Sequence, residues 1–230
     1  EPCAEKCRLA DKGEAVNMPA LERAALRFGA PKAGKGLFKI KKKKSCAVFG
    51  ADLFSLVLAA ELDRKSYPTS FYVSEGSAEE IFLKYAPGLD SDALEAELKR
   101  FRSTDIKLFC DSPLSEEFFE EKKAGSNVIC ASAGFRESLG LVSPDDITLV
   151  CPGTNLISSS GSCRGVLGAC FDARRAAVSA DRLAQGLDPS NMRGEEGPVN
   201  SRLYTNMDKV LPSGRIPEET GYTPEKAVEE

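Results

Sequence analysis

The sequence predicts an α/β fold built on a mainly parallel sheet. The apolar run from Ser45 to Gly50 suits a buried strand, the run from Leu53 to Leu62 suits a helix, and Phe71 to Glu75 suits a second strand. A strand, a helix and a strand in close succession form a βαβ unit, whose parallel strands need a crossover helix. Because such crossovers are almost always right-handed, we expect a parallel sheet with the Gly50 strand at its centre.

Further apolar and amphipathic runs predict the other elements. The N-cap residue Asn17 and Pro19 begin a helix that ends at Phe28. The remaining predicted elements are a helix over 91–101, a strand over 106–110, an acidic helix over 115–123, a strand over 127–131, a strand over 147–151, a glycine-rich loop over 158–168 and a helix through Ala169 to Ala180.

Composition restricts the possible functions. The chain has 230 residues, a formal net charge of −4 and no histidine, so a histidine base and His-containing catalytic triads are excluded. The negative net charge predicts no nucleic-acid partner, and the run Lys41 to Lys44 is interpreted as a solvated segment before the first strand. No apolar run is long enough for a membrane span, and residues 1–8 are charged rather than signal-like, so we expect a cytoplasmic protein.

One segment carries part of a dinucleotide-binding fingerprint. That fingerprint places glycines after the first strand, for a tight turn and the close approach of a pyrophosphate, and an acidic residue at the end of the second strand for ribose hydroxyls. Gly50 is the first glycine and Glu75 ends the second strand, but Asp52 and Ser55 replace the other glycines. The Asp52 side chain would crowd the pyrophosphate, and its charge would repel it. The pattern also fits a structural βαβ unit with an incidental surface glutamate.

Short motifs along most of the chain carry a family resemblance. They are Pro2-Cys3-Ala4-Glu5-Lys6-Cys7, Ala15-Val16-Asn17, Leu21-Glu22-Arg23, Phe82-Leu83-Lys84-Tyr85, Leu94-Glu95-Ala96-Glu97, Val128 to Ala133, Cys151-Pro152-Gly153-Thr154 and Gly165 to Ala177. In these motifs the chain resembles the glutamate synthase small chain and its relatives, which are iron–sulfur flavoproteins of the pyridine nucleotide-disulfide oxidoreductase type. The resemblance implies a Rossmann-like, three-layer FAD-binding domain with an oxidoreductase-related role.

The resemblance also implies that one domain is missing. Relatives insert an NAD(P)-binding domain at a point where, in this chain, only about a dozen residues separate Ala133 from Ile147. A nucleotide-binding domain needs roughly a hundred residues. We therefore expect no direct oxidation of NAD(P)H.

Flavin contacts are assigned by the same resemblance. Gly50 and Glu75 would contact the nucleotide part of FAD, whereas Thr154 replaces a family aspartate and can donate a hydrogen bond but supplies no charge. Gly165 and Val166 would form the helix N-terminus that faces the flavin ring. The glycine-rich loop before Gly165 also fits a simple chain reversal. With Asp52 near the pyrophosphate and Thr154 in place of the aspartate, FAD binding is expected to be weak or lost.

Cysteines at the N-terminus suggest a metal site. Cys3 and Cys7 share a turn, and thiolates are the usual ligands of iron–sulfur clusters. Without the resemblance they would be interpreted as two free thiols. In relatives this pair completes a set whose other members lie just upstream, so a 4Fe-4S cluster is expected only if upstream cysteines are present. Residues 221–230 look like the lead-in to a ferredoxin-like segment, which implies a middle piece of a longer iron–sulfur flavoprotein.

The sequence thus predicts three parts and two functions. Residues 1–36 are a helical iron–sulfur-domain remnant and linker, 37–186 are the Rossmann-like domain without its NAD(P) insertion, and 187–230 are an extended tail. The leading hypothesis is an electron-transfer flavin module that exchanges electrons with iron–sulfur domains or redox partner subunits. The alternative is a non-catalytic scaffold or interaction subunit derived from a flavin domain. A thiol redox enzyme is least favoured because no Cys-x-x-Cys pair is present.

Overall fold

The computed structural model describes residues 2–5, 7–29, 40–74, 76–85, 91–161, 165–194, 196, 206, 208–211, 214–217 and 221–230. The chain divides into two compact units. We call them the terminal unit, which combines Glu1–Phe38 with Asn200–Glu230, and the sheet unit, Lys39–Val199.

The described residues form helices and strands that we number in chain order. They are α1 (Pro2–Glu5), a 3₁₀ helix (Arg8–Asp11), α2 (Met18–Phe28), β1 (Cys46–Phe49), α3 (Leu53–Arg64), β2 (Thr69–Tyr72), α4 (Ala78–Tyr85), α5 (Ser91–Arg102), β3 (Lys107–Phe109), α6 (Glu116–Ala124), β4 (Val128–Ala131), α7 (Ala133–Ser138), β5 (Leu156–Ser158), α8 (Gly165–Gln185) and α9 (Pro224–Glu229).

The sheet unit is built on one parallel sheet with the strand order β3-β2-β1-β4-β5. The central strand β1 pairs with β2 on one side and with β4 on the other. The direction in which successive strands are added reverses at β1, which makes the junction of β1 and β4 a topological switch point. The predicted α/β, Rossmann-like fold class and the central position of the Gly50 strand are confirmed.

Alternate side chains of β1 enter two cores on opposite faces of the sheet. Cys46 and Val48 belong to the core that includes α3 and α8, whereas Ala47 and Phe49 belong to the core that includes Phe119 of α6 and Phe135 of α7. All residues of β1 and β4 are buried, as is typical of a parallel sheet covered on both faces. Helices α3 and α8 pack against each other, and α8 contributes small buried residues that permit a close approach: Ala173, Ala176, Ala177 and Ala180.

The predicted strand over 147–151 is wrong. Within it, Val150 forms only an isolated antiparallel bridge, to Ile157, and the fifth parallel strand is β5 instead. The Asp145 carboxylate accepts hydrogen bonds from the backbone N–H groups of Ile147 (3.1 Å) and Thr148 (2.7 Å), which closes a turn where the strand was expected to begin. Leu149 then has a φ of 58°, which is incompatible with an extended strand.

The terminal unit has a small core in which Ala20 and Ala24 of α2 are buried with Tyr222. The carboxylate of Glu230 accepts hydrogen bonds from the backbone N–H groups of Asn17 (2.6 Å) and Ile216 (2.8 Å). The described residues between 206 and 217 form neither helix nor strand, whereas α9 is a helix that the sequence did not predict. The three-part division of the chain stays a prediction.

No helix among the described residues has both the length and the apolar composition that crossing a membrane requires.

Candidate functional site

The candidate site lies where β1 and β4 end, and Gly50 is its most constrained residue. Its backbone N–H donates to the carbonyl oxygen of Tyr72 (3.1 Å), and its φ is +142°, a conformation that other residues rarely adopt. A Cβ atom at this position would lie 2.6 Å from Ser132 Cβ, Ser132 Oγ and Ser55 Oγ. Only glycine fits here, because the residue is buried and Ser55 and Ser132 pack against the face from which a side chain would project.

The Asp52 side chain caps the helix that begins at this site. Its Oδ1 accepts hydrogen bonds from the backbone N–H of Ser55 (2.8 Å) and from the Ser55 hydroxyl (2.6 Å). Asp52 is therefore the N-cap of α3, and Ser55, which is fully buried, is its partner. The two residues that replace fingerprint glycines thus act as one unit, which places a carboxylate on the helix N-terminus where an anionic ligand would otherwise bind.

Ser132 closes the other side of the switch point. Its backbone N–H donates to the carbonyl oxygen of Phe49 (2.8 Å), and its Oγ accepts a hydrogen bond from the backbone N–H of Phe135 (3.2 Å) as the N-cap of α7. The residues present provide the tight turn that a dinucleotide needs, although Gly50 is buried and Ser55 and Ser132 fill the place that a Cβ would occupy. They oppose its charge, because Asp52 supplies an anion and the neighbouring helix start is already capped.

Two buried charged residues fix the loop that follows β5. Arg136 of α7 is 3% exposed, and its Nη1 donates to the carbonyl oxygen of Ser159 (3.2 Å). Asp172 of α8 is 2% exposed, and its Oδ2 accepts a hydrogen bond from the Ser160 hydroxyl (3.1 Å). The loop is therefore held from α7 and from α8 at the carboxyl edge of the sheet, which we define as the edge formed by the carboxyl ends of its strands. Neither residue was predicted from the sequence, although an aspartate among the alanines of α8 is a signal of a buried polar contact.

A buried arginine joins α8 to the turn before β5. The guanidinium of Arg193 donates to the carbonyl oxygens of Ile147 (3.2 Å) and Arg175 (3.3 Å) and to the hydroxyl of Ser179 (2.5 Å). Its charge is paired with Glu196. Arg193 lies beyond residue 186, where the domain was predicted to end. Its burial in the sheet unit was therefore not predicted from the sequence.

The predicted flavin residues are not all brought together. Gly165 begins α8, which follows β5, and Val166 is 47% exposed beside it, so both follow the carboxyl end of a strand, as Gly50 does. Thr154 instead precedes β5, at its amino end, where its hydroxyl donates to the carbonyl oxygen of Cys151 (2.9 Å). Glu75 lies outside the described residues. The structure thus brings Gly50, Gly165 and Val166 to one edge of the sheet and leaves Thr154 at the other.

The predicted metal ligands Cys3 and Cys7 lie in the terminal unit as free thiols. A hydrogen bond from the backbone of Val16 holds the pKa of the Cys7 thiol below its ordinary value, which favours the thiolate. Across the described residues, no three or more histidine, cysteine, aspartate or glutamate side chains are grouped so that they could hold a metal ion. The residues that the structure describes therefore do not by themselves make a complete iron–sulfur site.

A second polar cluster lies at the opposite edge of the sheet, which we call the amino edge. The Asp181 carboxylate of α8 accepts hydrogen bonds from the Tyr67 hydroxyl (2.5 Å) and from Lys42 Nζ (2.7 Å), and Lys42 Nζ lies 4.1 Å from the centroid of the Tyr67 ring. Burial raises the pKa of Tyr67, whereas for Asp181 the hydrogen bonds from Lys42 and Tyr67 outweigh burial and lower its pKa. The three side chains thus form a structural clamp between α8 and the segments before β1 and β2.

Two cavities are present among the described residues, one in each unit. One of about 440 Å³ is in the terminal unit, beside Glu14, Arg23 and Arg215. The other, of about 300 Å³, is in the sheet unit, beside Leu98 and Phe101. Neither is lined by Gly50.

Comparison with known proteins identifies no family. No protein-family model matches the chain, and no curated protein has a matching sequence. Among solved structures, the chain is similar to the 6-hydroxypseudooxynicotine amine oxidase (HisD) from Pseudomonas geniculata N1, with a TM-score of 0.34 and 9% sequence identity. The match covers 56% of this chain and 19% of that enzyme. A similarity of this size carries no conclusion about activity.

Proposed function

We propose that the sheet unit is an electron-transfer flavin module that binds FAD at the carboxyl edge, with an affinity that Asp52 lowers. The observation that most supports this proposal is Gly50, where a Cβ atom would lie 2.6 Å from three atoms of Ser55 and Ser132. A glycine in a tight turn at the switch point of a parallel sheet is a feature of dinucleotide sites. Bound FAD would supply the oxidation–reduction chemistry, and this chain would bind and orient it.

In this proposal, Gly50 allows the pyrophosphate to approach the backbone. Gly165 and Val166 present the first turn of α8 to the flavin ring, and Glu75 contacts the ribose. Electrons pass to or from iron–sulfur domains or redox partner subunits, and NAD(P)H is not oxidised directly. A cluster at Cys3 and Cys7 would need further thiolates in addition to these two.

Affinity in this proposal is set by the Asp52 cap. An N-cap carboxylate and a pyrophosphate compete for the same helix N-terminus, and like charges at short range repel strongly when they are partly removed from water. Asp52→Asn keeps an N-cap acceptor and removes the charge, whereas Asp52→Gly also removes the side chain, at a cost of only a few tenths of a kcal/mol in capping, roughly. The two variants separate repulsion from crowding.

The test is FAD titration by fluorescence quenching of the wild type, both Asp52 variants and a control. Asp105→Asn is the control because it removes the same charge from an exposed loop before β3, at the amino edge. We expect weak binding by the wild type, binding about fivefold tighter or more for Asp52→Asn, since fivefold is about 1 kcal/mol, and no change for Asp105→Asn. Absence of FAD binding by every protein, even at high concentration, would exclude the flavin role.

The second candidate function is a non-catalytic scaffold, and the Asp52 cap is the observation that favours it. With Ser55 and Ser132 also satisfied inside the protein, the switch point is complete without a ligand. If Asp52→Gly and Asp52→Asn both fail to bind FAD while remaining folded, the scaffold function is supported.

A further inference from the structure

Exposed lysines gather at the amino edge of the sheet unit. Lys43 and Lys44 precede β1, and Lys107 begins β3. An ion pair between Lys41 Nζ and Asp105 Oδ2 (3.4 Å) joins the segments before β1 and β3, although β2 lies between these strands. Because adjacent strands are about 4.8 Å apart, the starts of β1 and β3 are separated by roughly 10 Å. These lysines therefore share one surface, which we call the basic edge and define as Lys41, Lys43, Lys44 and Lys107.

Most of the basic edge is not neutralised within the protein. Lys42 and Lys65, which lie beside it, are paired with Asp181. By contrast, no ion pair or hydrogen bond of the Lys43, Lys44 or Lys107 side chains is present among the residues that the structure describes. Three exposed cations without an internal partner remain on a folded, strand-supported surface.

The carboxyl edge has the opposite charge. Asp111 follows β3, and Glu116 and Glu117 begin α6, all on the side where the strands end. The sheet unit therefore has one basic and one acidic edge, and such a charge separation orients an approaching charged partner and increases its association rate.

We propose that the basic edge is a docking surface for a protein that presents a cluster of carboxylates. Only a few lysines are involved and the chain as a whole has a net charge of −4, so a long polyanion would meet repulsion beyond this surface. Nucleic-acid and membrane surfaces generally recruit about four to ten cations, whereas three lysines of the basic edge are left after Lys41 is paired with Asp105. A compact acidic patch matches the size of the basic edge. Because this surface is at the edge opposite Gly50, the proposal does not depend on FAD binding.

The experiment measures binding of a fluorescently labelled oligo-glutamate peptide to the full chain by anisotropy at low ionic strength. The test variant is Lys43→Gln, Lys44→Gln and Lys107→Gln combined. The matched control combines Lys12→Gln, Lys209→Gln and Lys226→Gln, which removes the same charge from exposed positions of the terminal unit. A third protein with arginine at positions 43, 44 and 107 retains the charge and should retain binding.

We expect the test variant to bind about tenfold more weakly, and the control to bind like the wild type, because only the test variant loses the lysines that the peptide is proposed to contact. Wild-type binding should also weaken as salt is added. Equal losses in the test and control variants would overturn the proposal, because net charge alone would then explain binding. Tighter binding of a short duplex DNA or of anionic lipid vesicles than of the peptide would also overturn it, because the partner class would then be wrong.

Discussion

At the scale of single residues, Gly50 shows what the sequence could predict about the candidate site and Asp52 shows what it could not. A glycine after a buried strand predicts a tight turn, and the structure places Gly50 at that turn with a φ of +142°. The carboxylate of Asp52 was expected to affect a ligand, whereas in the structure its partner is Ser55 of the same helix turn. An aspartate followed three residues later by a serine is a known signal of a helix N-cap. Because these two positions are also those of the second and third fingerprint glycines, they were interpreted as substitutions in a ligand site.

Gly50→Ala tests the steric argument at this position. We expect this variant to lower the free energy of unfolding by roughly 1–3 kcal/mol more than Gly140→Ala, measured by urea denaturation. Gly140 also has a positive φ, of +65°, but no atom lies within 4 Å of the place that its Cβ would occupy, so an alanine there meets a backbone cost without a clash. Equal losses of stability would show that the neighbouring Ser55 and Ser132 can move aside.

At the scale of secondary-structure elements, β1, α3 and β2 were predictable because strand and helix periods alternate clearly there. The fifth strand was not, because Ile147 to Cys151 and Leu156 to Ser158 are both short apolar runs that local periodicity cannot distinguish. The turn formed by the Asp145 carboxylate decides between them. Which of the two runs forms the strand therefore depends on side-chain hydrogen bonds, and the spacing of apolar residues gives no information about these.

The Asp181 clamp joins three elements and should make stability depend on pH. It connects α8 with the segments before β1 and β2 through Lys42 and Tyr67. Because the folded-state pKa of Asp181 is lowered, its contribution is fully present above its unfolded pKa of about 4 and is lost as the pH falls through the lower, folded-state pKa. Asp181→Asn should therefore lose about 1–3 kcal/mol at neutral pH, and its difference from wild type should narrow below about pH 4.

Denaturant titrations at several pH values measure this difference. Tyr67→Phe, which removes one donor and leaves the Lys42 hydrogen bond, should be intermediate at neutral pH. A difference between wild type and Asp181→Asn that is constant with pH would mean that Asp181 titrates alike in the folded and unfolded chain.

At the scale of the whole molecule, each unit has a hydrophobic core of its own, and this predicts separate unfolding. Tyr222 is buried with Ala20 and Ala24 in the terminal unit, and its hydroxyl donates to the carbonyl oxygen of Ile216 (2.9 Å). Tyr222→Ala should increase amide hydrogen exchange in α2 and α9 and leave β1 and β4 protected. Leu62→Ala, in the core of the sheet unit, should do the opposite, with a loss of about 2–5 kcal/mol. Coordinated loss of protection in both units would contradict this prediction.

The Asp52 cap makes the protein carry its own competitor for the site. A carboxylate attached to the helix it caps is present there at an effective concentration of roughly millimolar or above, whatever the composition of the solution. Any free anion must displace this tethered carboxylate. It must also replace the two hydrogen bonds that the Ser55 N–H and hydroxyl donate to Asp52. Occupancy of the start of α3 would therefore be selective for a ligand with enough additional contacts elsewhere on the carboxyl edge to displace this carboxylate.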